Sequence, residues 1–166
     1  VKHANPCGVG VANSLVEAYR SALSCDKTSA FGGIVAVNHC IDEESAREII
    51  KIFTEVVIAP SITEAARKIF SSKSDLRLLT IKKPPHQGCS SKVIKHVAGG
   101  YLLQDKDIEP FSLKNLRVVT KRSPTEKESQ DMLFAWKVAK HVKSNAIVYA
   151  KDRSTVGIGA GQASRV

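Results

Sequence analysis

Helix-start signals recur along this chain, and each is followed by a short apolar run of the length a buried strand needs. Ser14-Leu15-Val16-Glu17 reads as a capping box opening a helix over about residues 15–24, and Gly32-Gly33 then leads into a strand from Ile34 to Val37. Asp42-Glu43-Glu44 places negative charge at a helix N-terminus, with Ala46, Ile49, Ile50 and Phe53 at helical spacing. Val56-Val57-Ile58-Ala59 follows as a buried strand stopped by Pro60. Ser61-Ile62-Thr63-Glu64 reads as a second box for a helix through Phe70, ahead of a strand from Leu76 to Ile81. Such alternation predicts an α/β fold, a sheet layered between helices as α/β/α.

Periodicity lapses over residues 82–99, where Lys82-Lys83-Pro84-Pro85 and the nearby Gly99-Gly100 predict a long loop. Arg117 to Thr120 resumes as a strand. Ser123-Pro124-Thr125-Glu126 predicts a helix with Ser as cap, Pro at the first position and Glu closing the box. Met132, Ala135, Trp136, Ala139 and Val142 form its apolar stripe, which makes Trp136 a core residue, while Lys137, Lys140 and Lys143 face water. Strands are predicted at Ala146 to Ala150 and Thr155 to Ile158, joined by Lys151-Asp152-Arg153-Ser154.

At 166 residues, with 43% apolar and 25% charged residues, the chain is long enough to bury roughly 70% of its unfolded surface without a disulfide or metal staple. Intrinsic disorder is excluded on that composition. The longest apolar run, Ala146 to Ala150, is five residues, far below the ~20 that cross a bilayer. The first residues, from Val1 to Gly8, form a polar turn-rich cluster rather than a targeting segment, so the chain reads as an internal piece of a longer polypeptide. Cys7, Cys25, Cys40 and Cys89 contain no C-x-x-C pair and are expected as reduced thiols. Pro6-Cys7 lacks both the second cysteine and the H-x-E element of a zinc deaminase, so no metal site is expected.

A net charge of +9 favours anionic partners without choosing among them. Lys/Arg runs do not exceed the pairs Lys82-Lys83 and Lys121-Arg122, and aromatics are 5% of residues, which favours a solvated basic surface over a nucleic-acid groove. Gly157-Ile158-Gly159-Ala160-Gly161-Gln162 follows a strand but fails as a dinucleotide loop, because Gln162 occupies the third glycine position. Its glycines instead allow either a close backbone approach to a ligand or a purely structural turn. Lys2 and His3 stand side by side before a turn, an arrangement that suits a general base with a cation beside it, although such a pair taken alone is more often ordinary surface. Cys7 has no assignable base and reads as a small buried thiol rather than a nucleophile.

Five segments taken in order narrow this further: Lys2-His3-x-x-Pro6-x-Gly8, Ser29-Ala30-Phe31-Gly32-Gly33, Glu55 to Pro60, Ser144 to Lys151, and Gly157 to Val166. Together they resemble the AICAR transformylase family, the formyltransferase part of bifunctional purine-biosynthesis proteins that also carry IMP cyclohydrolase activity. The likeness spans essentially residues 1–166, with 82–112 its least distinctive part. It implies a partial transformylase domain: about the first α/β subdomain, residues 124–166 leading into a second, and the cyclohydrolase domain and C-terminal part lying outside. It also implies a fold similar to the cytidine deaminases without their zinc, a homodimer with a shared active site, and cytoplasmic location, with organelle import left open.

The activity implied by the resemblance is transfer of the formyl group of 10-formyltetrahydrofolate, a co-substrate, to the 5-amino group of aminoimidazole carboxamide ribonucleotide (AICAR). No tightly bound cofactor is implied, although a structural potassium ion is expected in some relatives, and neither nucleic acid nor membrane is an expected partner. By resemblance His3 is the proton acceptor, Lys2 stabilises the transition state, and Asn145 orients His3 and the carboxamide. Phe31, Gly32 and Glu55 join His3 and Asn145 in binding the nucleotide, while Arg165 and Val166 face the folate. The other functional classes these residues admit are a basic nucleic-acid-binding module and a noncatalytic dimerisation segment.

Overall fold

A computed structural model describes residues 1–81, 92–108 and 111–161. Helix α1 spans Leu15–Cys25, and the Ser14 hydroxyl accepts from the Glu17 N–H. The Glu17 carboxylate bonds to that hydroxyl rather than to the Ser14 N–H, so the expected box closes on its own side chain. A single helical turn, α2 (Lys27–Ala30), capped by Asp26, was not expected from the sequence. Strand β1 (Gly33–Ala36), α3 (Glu43–Ile49), β2 (Thr54–Ala59), α4 (Glu64–Ser71) and β3 (Arg77–Thr80) follow. Strands β1, β2 and β3 form a parallel sheet in that order, with Val57 between Val35 and Leu78.

Helix α1 contacts α3, and α3 contacts α4. Tyr19 of α1, Ile41, Ala46 and Ile49 of the α3 region, Val57 and Ala59 of β2, and Ala66 and Phe70 of α4 form the core. Burial pushes the Tyr19 phenol up to about 12. Outside this core, Arg20 of α1 and Lys51 both bind the Glu48 carboxylate, at 2.5 and 2.8 Å, and hold its pKa down at about 2. The segment before α1 crosses that helix so closely that a Cβ on Gly8 would stand 1.9 Å from the Ala22 carbonyl oxygen, which requires glycine there.

The remaining strands pair outside the parallel sheet. Strands β4 (Lys92–Val97) and β5 (Gly100–Asp105) form an antiparallel hairpin, as do β6 (Ala146–Lys151) and β7 (Ser154–Ala160). Helix α5 (Glu126–Ala139) packs on β6, and α1 contacts β7, so α1 lies between the parallel sheet and the second hairpin unit. The expected α/β character is present, but in place of one layered sheet the strands of the described residues divide among sheets of three, two and two, because only β1, β2 and β3 are joined by helical crossovers and the others pair with a hairpin neighbour. No helix among the described residues is long and apolar enough to cross a membrane.

Several local expectations are corrected. Thr63, not Ser61, caps α4, because the Ser61 carbonyl and Thr63 N–H are both bonded to the backbone of Ile41 and hold residues 61–63 extended. Thr125 and Glu128 make the reciprocal box of α5 in place of Ser123 and Glu126. Arg122 adds two 2.9 Å bonds to the Glu128 carboxylate. Phe53 lies beyond α3 and packs against Phe31, ring centroids 5.4 Å apart. Of the expected loop at 82–99, the described part is strand β4 and its turn, where Ala98 and Gly99 connect the Val97–Gly100 pair and Gly99 takes φ +82°. Residues 117–120 are not a strand: Val118 and Val119 are exposed.

Trp136 is 57% exposed rather than core, stacked on Phe111 at 4.6 Å. The buried side of the helix and its exit runs instead through Val138 and Val142, with Phe134 and Ala135 half-buried, so the stripe is rotated away from Met132 and Trp136. Lys137, Lys140 and Lys143 face solvent, and Lys140 pairs with Asp107.

Candidate functional site

The N-terminal segment meets the parallel sheet through Val1, whose backbone exchanges two 2.8 Å hydrogen bonds with Ile34. A tight turn follows: the Lys2 N–H donates to the Asn5 carbonyl at 2.9 Å, and the Asn5 N–H returns a bond to the Lys2 carbonyl at 3.1 Å. His3 sits on this turn with φ 52°, its residue exposed to solvent. Pairing Val1 with β1 aims Lys2 across the start of that strand, where its Nζ donates to the carbonyls of Phe31 at 2.7 Å and Gly32 at 3.0 Å.

Gly32 makes this approach workable. It takes φ +65°, its N–H donates to the Phe53 carbonyl at 2.8 Å, and a Cβ there would stand 3.0 Å from Lys2 Nζ. Phe31, Gly32 and Phe53 therefore form a small platform at the amino ends of β1 and β2. Glu55 lies beside it: Thr54 pairs with Gly33 and Val56 with Ile34, so Glu55 is the extra residue of a bulge and is exposed. A cleft of about 300 Å³ between the turns that precede β2 and β3 shares Phe53 and Thr54 with this edge.

Asn145 comes from the other hairpin unit. Its carbonyl accepts from the Gly161 N–H at 3.0 Å, and the same N–H reaches the Lys143 carbonyl at 2.9 Å. Gly161, at φ +60°, thus ends the glycine-rich strand by gripping the entry to β6. This entry is joined to the Lys2–Asn5 turn by one side chain: Asn5 Oδ1 accepts from the Lys143 N–H at 2.8 Å. Lys2, Phe31 and Gly32 are in direct contact, Glu55 is adjacent through backbone pairing, and Asn145 joins them through Asn5 and Lys143.

Asn5 and Phe53 are the participants that sequence reasoning missed. A polar residue at the turn before Pro6 was the available signal for Asn5; Phe53 was absorbed into a helical period. Arg165 and Val166, with Gln162 and Cys89, lie outside the described residues. An apolar groove of about 930 Å³ runs between the N-terminal segment and α5, lined by Pro6, Val9, Leu133, Phe134 and Val138. Among the described residues, no group of three or more His, Cys, Asp or Glu side chains could hold a metal ion. The groups at the site are an imidazole, an ammonium and backbone carbonyls, with the Glu55 carboxylate on the adjoining strand bulge and the Asn145 carboxamide joined through Asn5 and Lys143, a set suited to proton transfer and charge stabilisation on an organic substrate.

All of residues 1–166 match the family model described as AICARFT/IMPCHase bienzyme. The chain is 58% identical to the bifunctional purine biosynthesis protein PurH of Sinorhizobium fredii, and 57% identical to the proteins of that name from Dinoroseobacter shibae and Paracoccus denitrificans. Each alignment covers 100% of this chain and 31% of the relative, so the chain spans about a third of the length of these curated relatives.

Proposed function

Since this chain belongs to the AICARFT/IMPCHase bienzyme family, we propose that it contributes the Lys2–His3 part of a formyl-transfer site in purine biosynthesis. Residues 1–166 then form part of a transformylase domain, on a scaffold related to the cytidine deaminases and shared across a homodimer. The observation that carries the reading is the anchoring of the Lys2 ammonium on the Phe31 and Gly32 carbonyls, beside a turn that presents His3.

The substrates are AICAR and 10-formyltetrahydrofolate. The 5-amino nitrogen is a poor nucleophile, because its lone pair is delocalised into the ring and carboxamide. Attack on the formyl carbon forms the new C–N bond and moves the carbonyl electrons onto oxygen, while the amine sheds a proton. His3 Nε2 or Nδ1 receives that proton, a role typically contributing about 10² to 10⁴ in rate. An ammonium has three N–H donors, and Lys2 commits two of them to protein carbonyls. The third is free to meet the anionic oxygen of the tetrahedral centre, where a single fixed donor is worth on the order of 10² to 10³. Collapse breaks the bond to folate N10, which takes up a proton, leaving tetrahydrofolate and the formamido ribonucleotide.

Glu55 is suited to accept from ribose hydroxyls and Phe31 to wall the base, while Gly32 admits the nucleotide close to the backbone. Asn145, with a donor and an acceptor on one amide, is suited to orient His3 and the carboxamide. Arg165 and Val166 belong to the folate side in this reading. Potassium is assigned no residue of this chain. The test is a formyl-transfer assay on the complete polypeptide with His3→Ala and Lys2→Met. Retained nucleotide binding with transfer reduced by about 10² or more in each variant is expected. Wild-type turnover by His3→Ala would remove His3 from the reaction.

A further inference from the structure

We infer that Asn5 is a positioning residue, which sets the separation between the Lys2–His3 turn and the strand entry that carries Asn145. The inference rests on the formyl-transfer reading above and adds to it a residue outside the set that acts on substrate. Asn5 is held from two sides. Its backbone closes the turn with Lys2 through bonds of 2.9 and 3.1 Å, so the side chain moves with Lys2 and His3. Its Oδ1 then accepts from the Lys143 N–H at 2.8 Å, across 138 residues of sequence. From Lys143 the connection continues to Gly161, whose N–H is shared between the Lys143 and Asn145 carbonyls at 2.9 and 3.0 Å.

The two parts of the candidate site belong to different sheets: Lys2 to the edge of β1–β2–β3, and Asn145 to the β6–β7 hairpin. A side chain that bonds across that division controls their spacing more than it controls folding, because a solvent-exposed hydrogen bond contributes little net stability. Spacing has a steep effect on rate, since a displacement of about 1 Å at a reacting centre can cost on the order of 10²-fold. Proline at position 6 reinforces the arrangement by fixing its own φ immediately after Asn5.

The experiment compares Asn5→Ala, Asn5→Gln and Asn5→Asp in the complete polypeptide, measuring formyl-transfer kcat, KM for AICAR, thermal melting, and cyclohydrolase turnover as an internal standard. Asn5→Ala removes the acceptor, Asn5→Gln displaces it by about one C–C bond, ~1.5 Å, and Asn5→Asp retains an oxygen that can accept. The expected result is a fall in kcat of about 10- to 100-fold for Ala and Gln, with KM and cyclohydrolase turnover within about threefold, and recovery toward wild type in Asp. Gln keeps a polar amide at the position, so it carries the test if Ala fails to fold. Wild-type kcat in a folded Ala or Gln variant overturns the inference, as does a loss shared equally by cyclohydrolase turnover or one that Asp fails to restore. Absence of formyl transfer in the wild-type polypeptide instead overturns the functional reading on which the inference stands.

Discussion

Gly32→Ala separates backbone strain from ammonium placement at the mouth of β1. Gly32 takes φ +65°, and left-handed backbone costs a residue with a Cβ roughly 1–2 kcal/mol. The added methyl group would sit 3.0 Å from Lys2 Nζ and 3.5 Å from two carbons of the Phe53 ring. Nζ is the free end of a flexible side chain, so it yields by a few tenths of an ångström and adds little to the folding cost. With about 2–4 °C of melting temperature per kcal/mol in a domain of this size, the variant should melt roughly 2–8 °C lower. Formyl transfer should fall as well, because the displaced ammonium is the group assigned to the oxyanion: with about 10²-fold lost per ångström of misplacement, a shift of a few tenths of an ångström should lower kcat by roughly 2- to 10-fold. Gly32→Asn carries the same Cβ while tolerating left-handed backbone better, so it should recover much of the melting temperature and none of the turnover. Thermal denaturation and steady-state transfer assays on the complete polypeptide decide the matter. A Gly32→Ala variant that melts lower but keeps wild-type kcat would refute the placement of Lys2, and one with unchanged melting would refute the strained backbone.

Other positions yield independent expectations. Ile49 is fully buried in the core, so Ile49→Ala should destabilise by about 2–5 kcal/mol in urea unfolding, with the larger values expected if the cavity stays open. Thr125→Ala removes one half of the reciprocal cap of α5 and should cost about 0.5–2 kcal/mol by the same measurement. Glu48 is held at about 2 by Arg20 and then Lys51, against an ordinary value near 4.5, so its ionised form stabilises the fold above pH 4.5. That contribution is lost as pH falls toward 2, and the stability difference between wild type and Glu48→Gln should shrink to nothing over that window in acid unfolding curves. Added salt should narrow the same difference at neutral pH, because the partners Arg20 and Lys51 are solvent-exposed.

The legible parts of this chain were those governed by neighbours in sequence. Ser14 and Asp42 cap the helices predicted after them, and Val56 to Ala59 forms a strand because β-branched residues precede Pro60. Where two local solutions overlapped, tertiary contacts chose. Ser61 could not cap α4 because Ile41 had already drawn residues 61–63 into strand pairing. Trp136 lies on a helical stripe with Ala135 and Ala139, yet the surface that α5 offers to β6 passes through Val138, and a period of 3.6 does not say where the partner stands. The Gly99-Gly100 pair signals a break in periodicity, but it is the positive φ of Gly99 that turns the chain between two strands.

The site divides in the same way. Lys2, His3, Phe31, Gly32, Glu55 and Asn145 could be named as candidates from motifs, since chemical type and short-range spacing are written in the sequence. What the motifs left open was how the pieces meet. Lys2 reaches Phe31 and Gly32 across some thirty positions, and Asn5 reaches Lys143 across 138, by hydrogen bonds that leave no local pattern. Residue order and type determined the longer helices, the strands of the parallel sheet and the candidate groups, because capping, side-chain period and backbone freedom act within a few residues. Folding alone decided that a carboxamide at position 5 spans two sheets and that an ammonium rests against a left-handed glycine, because those distances exist only after separate elements have packed.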